Sequence, residues 1–232
     1  MARHIPRIYI DTLANDTFEI SCNQFNHLFS VFRLSINQNF IAFNKTDGEW
    51  LCTVYEIYKK TAFAKKLKLL RSYEKSYELH LAFCIVKNTN IKLIIEKGTE
   101  LGVSQFFPLN SQYVNNHNIE IDKLTAIATT AAEQSERLDI PVINPIVEIV
   151  SFLHNLPGDV EWYSCLEREY SNVNYDMKNK SCGFIIGPEG GFSETEKDLL
   201  KSKTKQLSLS KRILRSETAV VSCLSIYNFE NR

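Results

Sequence analysis

The apolar pattern of this chain changes character near residue 72, and that change constrains the fold more than any other feature. Beyond it, apolar runs of strand length at 77–86, 105–109, 160–166, 182–186 and 206–209 alternate with segments of helical spacing. One such segment covers 91–101 and stops at Gly102. A second can be capped by Asp122 and runs to Arg137. Others start at Glu194 and Glu217. Continuous apolar strands need cover on both faces, so the alternation predicts an α/β unit with a mostly parallel sheet between two helix layers. Ahead of the change the pattern is different. Residues 40–43 form an apolar run, Lys45-Thr46-Asp47-Gly48 reads as a turn, 50–58 alternates, and 61–70 can return beside it. Within 26–34, His27, Leu28, Val31 and Phe32 fall on one helical face. The front reads as a small β-barrel over 1–72 with one short helix, the back as an α/β domain over 73–232, with the boundary between Ser72 and Lys75.

Charge divides at the same place. The 232 residues are formally neutral, but residues 1–72 carry 10 Lys/Arg against 6 Asp/Glu, a net +4. Residues 73–232 carry 17 against 21, a net −4. A globally basic nucleic-acid binder is excluded; a locally basic one is not. No two of the six cysteines (Cys22, Cys52, Cys84, Cys165, Cys182, Cys223) form a CxxC. Scattered thiols fit a reducing compartment and small core positions, so neither a disulfide framework nor a metal site is expected. His4, His80, His117 and His154 have no metal-ligand spacing. No apolar run approaches membrane-spanning length, and Met1-Ala-Arg-His-Ile-Pro-Arg lacks an apolar core behind its charges. A cytoplasmic protein is expected.

Four segments can carry chemistry. Residues 183–196 run from a buried strand through Gly187-Pro188-Glu189-Gly190-Gly191 into a helix that Ser193 and Glu196 start as a capping box. Such a loop presents backbone N–H groups without side-chain obstruction; it serves equally as a tight turn needing positive φ. It matches neither GxGxxG nor GxxxxGK[ST]. Residues 209–219 place Arg212, Arg215 and Glu217 ahead of an apolar helix, which Ser216 can cap. The bland reading is a helix start with solvated charges. Residues 96–103 and 131–137, by residue type alone, read as packed helix ends.

Together these segments resemble one family. IGPEGGFSxxE at 186–196 followed by RILRxETA at 212–219 is similar to the 16S ribosomal RNA (uracil-N3)-methyltransferases of the SPOUT superfamily. KxTELGV at 97–103, EQSxR at 133–137 and HLFxVFRL at 27–34 fit the same family, so the resemblance spans nearly the whole chain. It implies an N-terminal PUA-like barrel for RNA and a C-terminal domain threaded into a deep trefoil knot, an exception to the unthreaded-connection rule. It implies S-adenosylmethionine bound in that knot, a homodimer, and N3-methyluridine in 16S ribosomal RNA, within the small ribosomal subunit, as the product. Dimerisation would let one subunit present RNA to the other.

The site follows by analogy. The backbone of Ile186, Gly187, Pro188, Glu189, Gly190 and Gly191, and that of Leu209, Ser210, Arg212, Ile213 and Leu214, would cradle the cofactor. Cys165, Leu166 and Glu167 would form a third wall. Uridine N3 lies on the Watson–Crick edge and must be met unpaired. It also must lose its proton, which calls for a base and for a cation beside O2 or O4. Arg215 is the candidate cation and Glu217 the candidate base, with helix capping its competing role. Arg3, Arg7, His27 and Arg33 are RNA candidates, together with Lys59, Lys60, Lys65, Lys66 and Lys68. The lysines serve equally as protection of an edge strand. There are two departures. The family usually has glycine where this chain has Ser210, at a cost of about 1 kcal/mol if positive φ is needed there. Asn37 stands in for a common glycine and tolerates that conformation. Ser210 is the feature favouring an alternative, a non-catalytic RNA-binding ribosome-assembly protein. A nucleotide-dependent oxidoreductase is the other, and lacks GxGxxG and an acidic ribose partner.

Overall fold

The computed structural model describes residues 5–114, 119–166 and 175–232. It divides into two compact units, 1–75 with 132–140, and 76–131 with 141–232.

The first unit is built on a five-stranded sheet in the order β1-β3-β4-β5-β2, from Arg7–Tyr9 (β1), Thr17–Ser21 (β2), Asn39–Asn44 (β3), Gly48–Ile57 (β4) and Thr61–Arg71 (β5). β1 pairs with β3 in parallel; the other pairs are antiparallel. Register irregularities in the β4–β5 pair bend the ribbon, and the sheet curls round a core that includes Ile8, Leu13, Ile20, Leu28, Phe40 and Val54. A single helical turn, Cys22–Phe25 (α1), continues into a π-helical segment, Asn26–Val31, which buries Leu28. Asn37 is left-handed at φ +66°.

Arg7 is the main correction to the sequence reading. It was expected to face RNA phosphates, yet it is 5% exposed. Its Nε donates to Glu49 Oε1 at 2.7 Å, its terminal nitrogens donate to the carbonyls of Ala132 and Arg137, and its guanidinium lies 3.7 Å from the Phe43 ring centre. Arg71 donates to Glu49 Oε2 at 2.7 Å and to the Glu136 carbonyl. Tyr9 N–H donates to Glu133 Oε1 at 3.0 Å. These bonds explain why 132–140, assigned from sequence to the back domain, belongs to the first unit.

The second unit holds a seven-stranded sheet in which every pair is parallel. Its path runs β12-β10-β11-β6-β7-β8, from Lys205–Gln206 (β12), Glu161–Cys165 (β10), Cys182–Ile186 (β11), Leu79–Cys84 (β6), Gln105–Asn110 (β7) and Val142–Ile143 (β8). Val147–Glu148 (β9) also pairs with β7. β6 and β11 are buried throughout, as a doubly covered sheet requires. Asn88–Glu100 (α2) and Ser216–Glu230 (α6) pack together on one side. Ile149–His154 (α4) and Glu194–Lys203 (α5) pack together over a core with Ala82, Cys84, Leu109, Trp162 and Leu200. Gly183 lets Trp162 approach: a Cβ there would lie 2.5 Å from the indole. Ile121–Ser135 (α3) begins one residue before Asp122, so Asp122 sits in the first turn rather than at the cap. β1, β2, β9 and α4 had no sequence signal, while β8 lies in the extended stretch that Pro141 and Pro145 bracket.

Burial alone would raise the Glu49 carboxyl, but hydrogen bonds from Arg71 and Arg7 outweigh it and hold the group below the ordinary carboxylate range. A depressed native pKa stabilises the fold at pH above the unfolded value, about 4.3, and that contribution is lost as pH falls through the native value. Glu49→Gln leaves the Arg7 charge buried and unpaired, so it costs about 3 kcal/mol in urea denaturation at pH 7. The melting-temperature gap between the two proteins closes on acidification below about pH 4.

Candidate functional site

Parallel strands direct all their carboxyl ends to one edge, where such sheets bind ligands. Here the segments leaving β10, β11 and β12 meet around a cavity of about 720 Å³. Its walls are 165–166 after β10, 186–192 after β11, and Leu207 with 209–216 between β12 and α6; Ala219 adds a contact from the first turns of α6.

The β11 wall is held by backbone geometry. Gly191 has φ +74° and donates its N–H to the Pro188 carbonyl at 2.9 Å, so this turn needs a residue without a Cβ. A Cβ on Gly187 would lie 2.8 Å from the Phe192 ring. Ser193 caps α5: its N–H donates to Glu196 Oε2 at 2.8 Å, and Glu196 N–H donates back to Ser193 Oγ. The other oxygen of that buried carboxylate, Oε1, accepts Gln112 N–H at 2.9 Å.

The wall before α6 is held by two hydroxyls. Ser210 Oγ accepts the N–H of Arg212 at 3.0 Å, and Ser210 itself lies outside the left-handed region. The anticipated strain there is therefore absent. Ser216 is not the cap; Arg215 occupies that position without a side-chain cap bond, and Ser216 Oγ instead donates to the Gly187 carbonyl at 2.9 Å. Among the described residues, the N–H groups of Ile213 and Leu214 have no partner.

The charge at the cavity runs against the net −4 of residues 73–232. Among the described residues, Lys197 (paired with Glu194), Lys211, Arg212 and Arg215 line it against one carboxylate, Glu189. Arg212 and Arg215 are exposed and, among the described residues, make no ion pair. Glu217 does not line the cavity. It stands one turn or less into α6, and its Oε2 is buried without a partner among the described residues.

Residues 73–228 match the RNA methyltransferase domain family, and residues 22–67 match the RNA methyltransferase PUA domain family. A Rickettsia conorii protein named ribosomal RNA small subunit methyltransferase E is 33% identical over 228 residues, covering 94% of this chain and 93% of its own. The chain belongs to the ribosomal RNA small subunit methyltransferase E family. Two solved structures share the fold. The Neisseria gonorrhoeae member, bound to S-adenosyl methionine, superposes with a TM-score of 0.89 at 24% identity and covers 98% of both chains. A Legionella pneumophila protein in complex with SAM gives 0.88 at 25% identity, covering 99% of both.

In this family member the cavity gathers thirteen of the fourteen residues assigned from sequence to the cofactor, from Cys165 to Leu214, and Arg215 with them. Glu167 and Arg3 lie outside the described residues. Lys211, inside the 209–214 stretch expected to cradle the cofactor, lines it too; Leu207, Phe192, Lys197, Ser216 and Ala219 also line it and were not anticipated. Lys197, one turn after Ser193, and Ala219, one turn after Arg215, could have been found by extending each helix inward at i+4. In the first unit, Arg33 is exposed with φ +55°. His27 is half-buried, 3.6 Å from Glu133 and against Phe32. Lys59, Lys60, Lys65 and Lys68 are exposed. Lys66 is engaged instead: it lies 4.4 Å from the Trp50 ring centre and donates to the Leu13 carbonyl. Burial pushes the thiols of Cys52, Cys84 and Cys182 up to about 12, away from nucleophilic use. The described residues contain no cluster that could hold a metal ion and no helix long and apolar enough to cross a membrane.

The two loop glycines make different demands. Gly191→Ala has open space for its methyl group and carries only the left-handed penalty, about 1 kcal/mol. Gly187→Ala collides with Phe192 and costs about 2 kcal/mol. Urea denaturation of the two variants is expected to rank them in that order.

Proposed function

We propose that this chain transfers a methyl group from S-adenosylmethionine to N3 of a specific uridine in 16S ribosomal RNA, within the small ribosomal subunit. The observation that carries this reading is a cavity with a backbone cradle on one wall and a cationic fringe on another. The cavity volume is of the size small-molecule sites have. The free N–H groups of Ile213 and Leu214 suit the edge of a nucleobase, and Leu166, Ile186 and Leu207 suit its faces. The names of the Rickettsia and Neisseria relatives agree with this cofactor and this class of RNA.

The bound cofactor supplies an electrophilic methyl group. The residues of this chain do the rest. Loops 186–192 and 209–216 fix the cofactor by main-chain contacts, so positioning contributes much of the rate. Arg215, exposed and free of an ion pair, stabilises negative charge on the uracil oxygens or holds an RNA phosphate. Glu217 stands off the cavity lining with a buried, unpartnered oxygen, so it would take the N3 proton through water rather than by direct contact. Ser210, held by its bond to Arg212, no longer favours the non-catalytic alternative. A homodimer in the cytoplasm completes the reading; α2 and α6 expose Leu93, Val221 and Phe229 as apolar surface for a second copy.

The test is methyl transfer from labelled S-adenosylmethionine to small ribosomal subunits lacking the modification, with reverse transcription mapping any stop. Transfer with one new stop is expected. Absence of transfer with cofactor binding intact would overturn the assignment of substrate. Arg215→Ala should lower transfer by about 100-fold with cofactor affinity unchanged. Full activity would remove Arg215 from the chemistry. Replacing Lys59, Lys60, Lys65 and Lys68 with alanine should weaken RNA binding in a filter assay. It should also flatten the dependence on salt, since each phosphate contact contributes to that slope.

A further inference from the structure

A base that presents N3 to a methyl donor has left its stack, and some surface must replace the neighbours it lost. The walls of the cavity do not offer one. Among the described residues their single aromatic residue, Phe192, is 6% exposed and fills the space beside Gly187.

An aromatic residue that is not part of the lining does stand against the same wall. Tyr113 abuts Gly190: a Cβ built on that glycine would lie 3.3 Å from Tyr113 Cβ and 3.8 Å from its carbonyl oxygen. Gly190 lines the cavity, and its lack of a side chain is what admits Tyr113 so close. The backbone round Tyr113 is pinned. Gln112 N–H donates to buried Glu196, Val114 N–H donates to the Ser111 carbonyl at 3.0 Å, and Val114 packs on the core beneath. Yet Tyr113 is 53% exposed, and no hydrogen bond holds its hydroxyl among the described residues. A large aromatic side chain on a fixed backbone, half open to solvent, with Lys211, Arg212 and Arg215 on the adjoining cavity lining, has the chemistry of a stacking surface for an unpaired nucleotide.

We propose that Tyr113 is a substrate-positioning residue whose ring stacks on an unpaired nucleobase of the RNA at the cavity rim. This rests on the reading that the substrate is a uridine in RNA. The same carboxylate, Glu196, sets both the glycine loop and the Tyr113 turn, so one buried group aligns the cofactor wall with the nucleotide platform.

Full-length wild-type, Tyr113→Phe, Tyr113→Trp and Tyr113→Leu proteins are compared by steady-state methyl transfer to unmodified small subunits. Cofactor affinity is measured separately by calorimetry with S-adenosylmethionine alone. Stacking predicts that Phe and Trp stay within about threefold of wild type in kcat/KM, while Leu loses about 10- to 100-fold. It also predicts equal cofactor affinity in all four. Leu matching Phe would overturn the proposal. So would a parallel loss of cofactor affinity in the Leu variant, which would make the ring a support of the cofactor wall. Wild-type protein that transfers nothing would overturn the underlying uridine reading, a result distinct from either.

Discussion

The bond from Ser216 Oγ to the Gly187 carbonyl closes the site. It joins the start of α6 to the end of β11, residues 29 positions apart, and so fixes two walls of one cavity to each other. A parallel sheet delivers its strand ends to a common edge but leaves the loops free to splay. Two devices prevent that here. Ser216 ties the α6 approach to the glycine loop, and Glu196 ties the exit of the glycine loop to the turn after β7. Neither uses an exposed charge, so neither is weakened by salt.

Buried carboxylates serve the same purpose in both units. Glu49 accepts from Arg7 and Arg71, and Arg7 in turn reaches the carbonyls of 132 and 137. Glu196 accepts from Ser193 and Gln112. In each case one carboxylate with two oxygens joins segments remote in sequence, the arrangement under which a buried charge is tolerated. Arg212 and Arg215, which make no ion pair among the described residues, stand at the cavity. Glu49 is thus paired with arginines inside the protein, while Arg212 and Arg215 remain available to a ligand at the cavity.

This division also decides what was legible in the sequence. β6 and β11 declared themselves as unbroken apolar runs, and Ser193 with Glu196 marked the start of α5 three residues apart. Both signals are local. The role of Arg7 was not, because its partners lie 42 to 130 residues away and an arginine near the chain start reads as solvent-facing. The same distance hid the membership of 132–140 in the first unit. Ser216 read as a cap because serine before a helix usually is one; the Gly187 carbonyl, invisible in sequence, claimed its hydroxyl. β8 and β9 are two residues each, too short for any periodicity. The cavity itself was legible only through the family resemblance. Composition and spacing gave a glycine loop and two arginines, not their meeting.

Ser210 shows why a motif position should be judged by its conformation rather than its usual residue. A glycine there would be needed only if the backbone were left-handed or the space closed. In this chain the backbone is neither left-handed nor unsupported, and the serine hydroxyl satisfies an N–H that glycine would leave to water. The substitution therefore exchanges backbone freedom for a local bond in the segment that carries Arg212 and Arg215. On the proposed reading, in which this loop holds a cation beside the reacting base, that exchange is a gain, because catalysis by a preorganised charge depends on how little the charge has to move.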